Sequence, residues 1–229
     1  MSAEIRILPV LGIGEVGAGD DIGALICAAV EVEPGDVVVI AQKIVSKAEG
    51  RIVAAETRDD ARAAAKREAR RIVRETPDHL IVETHHGFVC ANAGVDMSNV
   101  PAGTAALLPR DPDGSAERIR KTIEARCTGA IAVIVSDTFG RPWRVGQTNV
   151  AIGGSGMEAL RGYKGQVDAA GRELLITEIA HLDELAAAAE LVMNKLDNVP
   201  VAIVRGYAWH PGDGRVSQTV RPTAMDLFR

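Results

Sequence analysis

Aromatic side chains make up only 3% of the 229 residues. Two Trp, two Tyr and three Phe are too few to build the stacking platform on which single-stranded nucleic acid is held. Basic excess is missing as well. With 26 Lys and Arg against 31 Asp and Glu, the net charge of −5 offers no general attraction for DNA or RNA. The three cysteines, Cys27, Cys90 and Cys127, are scattered and lack CxxC spacing. That argues for reduced thiols in a cytoplasmic protein rather than a disulfide framework or a zinc site. No apolar run approaches the ~18 residues of a membrane span. Glu4 and Arg6 come early and no long apolar segment follows, so no signal peptide is expected. A GxxxxGK[ST] phosphate loop is also absent. A phosphate-bearing small molecule survives these exclusions, because local Lys and Arg can serve it.

What is present is ordinary for a globular chain: 47% hydrophobic and 25% charged residues. The length suits one large domain or two small ones. The most informative stretch spans residues 130–144, Ala-Ile-Ala-Val-Ile-Val-Ser-Asp-Thr-Phe-Gly-Arg-Pro-Trp-Arg. Its apolar start reads as a buried strand with Asp137 at its end. A carboxylate and a hydroxyl there, followed by Arg141 and Arg144, could hold a cation and the phosphates it neutralises. Equally, Asp137 could cap a turn.

Around this stretch, residues 5–10, 37–41, 80–83, 88–91, 174–179 and 201–204 read as strands. Helical spacing follows Asp20 or Asp21, through Ile22, Leu25, Ile26, Ala29 and Val30. Residues 56–75 read as a charged helix striped by Ala61, Ala65, Ala69, Ile72 and Val73. A turn at Asp111-Pro112-Asp113-Gly114-Ser115 leads into another helix. Residues 183–194 form a further one, with Leu185, Ala188, Ala189 and Val192 inward. His85 and His86 are adjacent, would face opposite sides of a strand, and so read as a turn rather than a metal pair. No repeat or clean linker divides the chain. Strands and helices interleave without a βα rhythm, giving a mixed α/β, or α+β, fold.

Several loops carry candidate chemistry. Gly12, Gly14 and Gly17 spell GxGxxG, the signature of a nicotinamide-dependent oxidoreductase. That motif needs a helix opening within the glycines, and here the helix begins later. Lys43 and Lys47, after the strand at 37–41, could reach phosphates as point charges or lie in a solvated turn. Asp96, Ser98 and Asn99 could form a turn or supply oxygen ligands.

In order along nearly the whole chain, these segments resemble one family. They are Pro9 with Gly12-Ile13; Ser46-Lys47-Ala48-Glu49-Gly50-Arg51; Asn92-Ala93-Gly94-Val95-Asp96 with Ser98-Asn99-Val100; and Leu108-Pro109 with Asp111-Pro112-Asp113-Gly114-Ser115. Then come Asp137-Thr138 with Gly140-Arg141, Thr177-Glu178 with Asp183-Glu184, and residues 200–206. The chain is similar to the γ-glutamyl ligases of deazaflavin coenzyme F-420 biosynthesis. Arg221-Pro222 with Asp226-Leu227-Phe228 resembles the junction before the flavin-dependent second domain of two-domain members, a domain not expected here.

The resemblance implies a single ligase domain over residues 1–229, with a subdivision left open, in the family's own fold and as an intertwined homodimer. It implies GTP-dependent addition of L-glutamate to an F-420 precursor, with Mg²⁺ or Mn²⁺ and with K⁺ as an auxiliary ion. Carried onto matching positions, Asp96, Asp137 and Thr138 hold the divalent ions. Ile13, Gly14, Glu15, Val16, Gln42, Lys43, Lys47 and Asn99 lie at the nucleotide. Asp96, Asp137 and Lys47 then carry the catalysis. Gln42-Lys43 departs from the small hydroxyl residues of archaeal members. Asn194 stands where the family's Met-Gly-Lys has glycine, and Asn tolerates positive φ better than most residues. A non-catalytic nucleotide-binding homologue and the oxidoreductase are the competing readings. For an acyl-phosphate route, Gly153 to Gly156 are expected to cover the intermediate, and Arg141 or Arg144 to hold the precursor's phosphodiester or carboxylates.

Overall fold

A computed structural model of the chain describes residues 4–127 and 129–227. Phe228, part of the C-terminal motif, lies outside the described residues. The first half runs β1 (Arg6–Pro9), α1 (Ile22–Ala29), β2 (Val37–Ala41), α2 (Gln42–Ala48), β3 (Ile52–Ala54), α3 (Arg58–Glu68), β4 (Ala69–Glu75), β5 (Leu80–Thr84), β6 (Val89–Ala91) and β7 (Thr104–Ala106). It continues through α4 (Pro112–Glu124), β8 (Ala132–Arg141), β9 (Arg144–Met157), β10 (Arg161–Gly162), β11 (Glu178–Ile179), α5 (His181–Met193), β12 (Val201–Arg205) and β13 (Pro211–Gly212). The mixed α/β architecture expected from the sequence is what forms.

The principal sheet has the order β1-β12-β2-β8-β9-β13. Its β2–β8 pair is parallel, while β1–β12, β12–β2, β8–β9 and β9–β13 are antiparallel. Alternation along the strands divides the core in two. Val38, Ile40, Val133, Val135, Val201 and Ile203 face Ile22 and Ile26 of α1 and Ala116, Ile119 and Ile123 of α4. Val37, Val39, Ala132, Ile134, Ala202 and Val204 face Leu182, Leu185, Ala186 and Ala189 of α5. Sheet strands covered on both faces need continuous apolar runs, which is why Val-Val-Val-Ile appears in β2. Each fully buried Val or Ile contributes about 1.5–3 kcal/mol. Asp21 caps α1 by accepting from the Ala24 amide at 3.0 Å, and Asp111 caps α4 through Gly114 at 3.0 Å.

Several expectations need correction. The helix expected over residues 56–75 ends at Glu68, and the chain passes directly into β4, which pairs with β5. β-branched Ile72 and Val73 favour the sheet, and pairing with a neighbour overrides the Ala-rich prefix. Lys43 and Lys47 lie on a helix, α2, not in a solvated turn. Asp137 is not at a strand end, because β8 continues to Arg141 and hairpins into β9. Ile152-Gly153-Gly154-Ser155-Gly156 is no cover loop; it belongs to β9, with Gly153 and Gly154 buried. Of residues 174–179, only Glu178–Ile179 is strand. The buried stripe of α5 is Leu182, Leu185, Ala186, Ala189 and Met193, a rotation from the one expected. His85-His86-Gly87 is the turn it was read as, with Gly87 at φ +91°.

Candidate functional site

Two acids from distant parts of the chain are neighbours where β8 leaves the covered part of the sheet. Asp96 follows a short 3-10 turn, Asn92–Gly94, and bridges to Ala106 of β7. Its carboxylate accepts from the Lys43 ammonium at 2.8 Å, from the Ser98 amide at 2.7 Å and from the Ser98 hydroxyl at 2.8 Å. Burial pushes the Asp96 carboxyl up, but Lys43 and Ser98 outweigh it and hold the group below the ordinary carboxylate range. Asp137 has no such set among the described residues. Burial pushes it up to about 7, with the negative charge of Asp96 adding to the rise. The Thr138 amide and the charges of Lys43 and Lys195 oppose it. Cys90 of β6 registers the same carboxylate: burial and then Asp137 raise its thiol to about 12.

A half-buried carboxylate beside another acid calls for a cation. Among the described residues no three His, Cys, Asp or Glu side chains cluster into a metal cage. Two carboxylates nevertheless fit Mg²⁺, which is commonly held by one or two of them plus phosphate oxygens and waters. Asp96 and Asp137 would be those groups.

The nucleotide candidates converge only partly. Lys47 of α2 pairs with Glu15 at 2.5 Å, tying the Gly12–Gly17 loop to α2, and the Gly19 amide bonds Ala48 O at 2.8 Å. Gly12, Gly14 and Glu15 are exposed, Ile13 is half-buried and Val16 is buried in the core. Lys43 faces Asp96. Gln42 is only 2% exposed and accepts from the Ser46 hydroxyl at 2.8 Å, so its side chain is spent inside α2. Asn99 is exposed with φ +54°. Arg141 is committed to its own hairpin, donating to Val145 O at 2.6 Å, while Arg144 is exposed.

The sequence reading missed three side chains. Asn149, opposite Thr138 in the β8–β9 register, accepts from its hydroxyl at 2.6 Å. Glu190 of α5 accepts from Asn149 Nδ2 at 2.9 Å. Lys195 donates to Thr138 Oγ1 at 2.5 Å. Reading residues 130–157 as a hairpin folded at Pro142-Trp143 would have found Asn149; Lys195 is the lysine of the segment matched to Met-Gly-Lys, and nothing local points to Glu190. A cavity of about 290 Å³ opens nearby, lined by Phe88, Phe139, Val150, Asp183, Val220 and Arg221. A larger one, about 550 Å³ between Cys27, Val32, Pro34, Arg126 and Cys127, includes none of these site residues.

Comparison with known proteins adds an independent line. A model of the F420-0:gamma-glutamyl ligase family matches residues 11–206. A Methanothermobacter thermautotrophicus protein named "Coenzyme F420:L-glutamate ligase" is 45% identical over 249 aligned positions, covering 98% of this chain and 99% of that protein. One of the same name from Methanopyrus kandleri is 42% identical, covering 98% of each. Another, from Methanocaldococcus jannaschii, is 42% identical over 86% of each.

Proposed function

This chain belongs to the F420-0:gamma-glutamyl ligase family, and from that premise we propose that it joins L-glutamate to a deazaflavin F-420 precursor at the expense of GTP. The observation that carries the reading is the Asp96 carboxylate seated on Lys43 and Ser98, with Asp137 of β8 close enough to feel the charges of Asp96, Lys43 and Lys195. Amide formation in water needs an activated carboxylate. The precursor carboxylate attacks the γ-phosphorus of GTP, the bond to the β-phosphate oxygen breaks, and GDP leaves. The glutamate amine then attacks the acyl carbon, loses a proton, and expels phosphate. Phosphoryl transfer depends mostly on positioning and charge neutralisation. Asp96 and Asp137 would hold Mg²⁺ or Mn²⁺, which would neutralise phosphate charge. Lys47, beside the glycine loop, binds phosphate as a point charge once it exchanges Glu15 for it. An acceptor with a flat ring would find Phe88 and Phe139 beside the Asp137 strand. K⁺ is assigned the auxiliary role that the resemblance implies.

The oxidoreductase reading loses its support. α1 opens at Ile22, its first turn is already capped by Asp21, and the Gly17 amide is taken by Asp20 at 2.8 Å. No helix N-terminus is left to face a pyrophosphate at Gly12 to Gly17. We also assign a homodimer of single-domain subunits in the cytoplasm. Trp143 and Val145 at the hairpin tip, 80% and 95% exposed, offer apolar surface for a second copy. Among the described residues no helix is long and apolar enough to cross a membrane.

The test is incubation with GTP, Mn²⁺, L-glutamate and the unglutamylated precursor, read by mass spectrometry. Glutamylated product with GDP and phosphate is expected. Binding of GTP without product would favour the non-catalytic homologue. With ¹⁸O in the precursor carboxylate, label should enter the released phosphate; phosphate oxygen arriving only from solvent would sink the acyl-phosphate route.

A further inference from the structure

Two of the chain's three Phe stand at one cavity. Phe88 and Phe139 meet edge to face, their ring centroids 6.2 Å apart, and His86 stacks on Phe88 at 5.4 Å. With Val89, Val150, Val216 and Val220, the two Phe wall the cavity of about 290 Å³. The β8–β9 hairpin sets its place. Asp137 and Phe139 are two residues apart on β8, so they share a face about 7 Å apart. Val150 is the register partner of Asp137. A molecule seated against Phe139 and Val150 therefore reaches the Asp137 carboxylate along that same face.

Two charged groups break the apolar lining. Asp183, in the first turn of α5, is half-buried. One of its carboxylate oxygens accepts from the Ala151 amide at 2.9 Å, and the other has no donor among the described residues. Burial raises the Asp183 carboxyl, with that amide opposing the rise. Arg221 is exposed and makes no ion pair among the described residues. The backbone leading to it is held in place. Asp113 accepts from the Val216 amide at 2.8 Å and the Ser217 amide at 3.3 Å, and the Thr219 hydroxyl donates to Val216 O at 2.8 Å. Val220 lies over Gly87, where an added Cβ would stand 2.9 Å from Val220 Cγ1. Residues 216–221 are thus packed into the wall of the cavity.

Apolar walls with a few convergent polar groups are the usual make-up of a small-molecule site, and about 290 Å³ lies at the lower end of such sites. The cavity therefore suits one part of a larger ligand. Rings and valines fit a flat aromatic body. A carboxylate oxygen without a donor fits a ring N–H, and an unpaired guanidinium fits a phosphodiester or carboxylate. We infer that this cavity seats the ring of the deazaflavin acceptor, with Asp183 accepting from the imide N–H of its pyrimidine ring and Arg221 holding its anionic arm. This rests on the ligase reading above. It moves the arm away from Arg141 and Arg144: Arg141 is spent on Val145 O, and neither lines the cavity.

The test is a fluorescence titration of the chain, without GTP or metal, against two probes. One is the unglutamylated precursor; the other is a deazaflavin that lacks the phosphodiester arm. Asp183→Asn keeps an oxygen for the Ala151 amide but removes the charged acceptor. It should weaken both probes roughly tenfold or more, the worth of a hydrogen bond to a charged group. Arg221→Ala should weaken the precursor by a similar factor and leave the armless probe unchanged. In turnover, the KM for the precursor should rise in both variants while that for GTP stays. Arg221 is exposed and Asn has the shape of Asp, so both variants should fold, which a thermal melt checks. A wild type that forms glutamylated product, beside folded variants with unchanged precursor binding and KM, would overturn this inference alone. An armless probe weakened by Arg221→Ala as much as the precursor would overturn the placing of the arm. A wild type that binds neither probe and forms no product would overturn the ligase reading, and the inference with it.

Discussion

The β8–β9 hairpin is one continuous ladder with two different halves. In the inner half, Val133, Ile134 and Val135 pair with Ser155, Gly154 and Gly153, and all are buried. Helices cover both faces there, and the backbone has no spare room. A Cβ on Gly153 would stand 2.3 Å from Pro112 O, and one on Gly154 2.3 Å from Gly214 O. The outer half begins after a register shift between Val135 and Ser136. There, Asp137 and Thr138 pair with Val150 and Asn149, and polar side chains replace the apolar alternation. The same hydrogen-bonded strands therefore serve packing at one end and charge at the other. What separates the jobs is cover: polar groups appear where the sheet runs beyond α4 and toward β6 and the end of α5. Stability and chemistry should consequently separate along the ladder.

The sharpest way to break this division is to overfill the inner half. Gly154→Ala should destabilise the protein by about 3 kcal/mol, the upper end of overpacking costs, because the obstacle is a backbone carbonyl and not a side chain that can turn away. Asp113 bonds both the Gly154 amide, at 3.0 Å, and the Val216 amide, at 2.8 Å, so the strand cannot slide. A shift of the urea midpoint measures it. A wild-type midpoint would mean that the inner half is as accommodating as the outer.

Asp137→Asn should do the reverse. Activity should fall by at least the ~100-fold that even outer partners of metal ligands can cost. Stability should hold or rise, since the amide removes a carboxylate charge that desolvation disfavours. Steady-state turnover at limiting Mn²⁺, beside a thermal melt, separates the two. Full activity at low metal would detach Asp137 from the cation.

A smaller effect follows from the same carboxyl. Its pKa is about 7 in the folded chain against an ordinary 3.8. Between those values the folded protein keeps a proton that the unfolded chain has lost. Without metal, this group's contribution to stability is therefore full below the lower value, falls as pH rises, and levels off above the higher one. Urea midpoints with chelator at about pH 5 and about pH 8 should differ more in wild type than in Asp137→Asn. Equal differences would show that the carboxyl is not held up by its surroundings.

How much of this could be read in the sequence depends on how local each cause is. The cap of α1 was narrowed to Asp20 or Asp21, and residues 111–115 were legible as the turn opening α4, because capping acts within one helical turn. The strand at Val37–Ala41 was legible because a strand buried on both faces is apolar throughout. By contrast, β4 was hidden behind an Ala-rich helix because its cause is the partner strand β5. Of the candidate site, Asp96, Asp137 and the hydroxyl beside it stood out locally as oxygen ligands, and only an ordered set of motifs joined them into one expected site. Glu190 was invisible, and Lys195 was visible only as the lysine of Met193-Asn194-Lys195 without a role, because only the packing of α5 on the sheet brings them to Thr138. The glycine run at 152–156 was misjudged for a related reason. Glycine marks either freedom or a lack of space, and sequence does not distinguish them.

The smallest expected effect decides between those two meanings. Gly14→Ala makes the same chemical change as Gly154→Ala, but a Cβ on Gly14 meets nothing within 4 Å. The loop is exposed, and its anchors, the Lys47–Glu15 pair and the Gly19–Ala48 hydrogen bond, do not involve this residue. Stability should change by no more than ~0.5 kcal/mol, as for other surface substitutions. If the loop's backbone approaches the nucleotide, the added methyl lies where a phosphate must come. The KM for GTP should then rise while that for glutamate stays, and NADH should bind neither protein. A Gly14→Ala protein as unstable as Gly154→Ala would put this loop with the packed glycines of the inner ladder. A protein unchanged in both stability and GTP dependence would remove Gly14 from the nucleotide site. Micromolar NADH binding lost with the methyl would revive the oxidoreductase, because only a ligand seated on those glycines would feel so small a change.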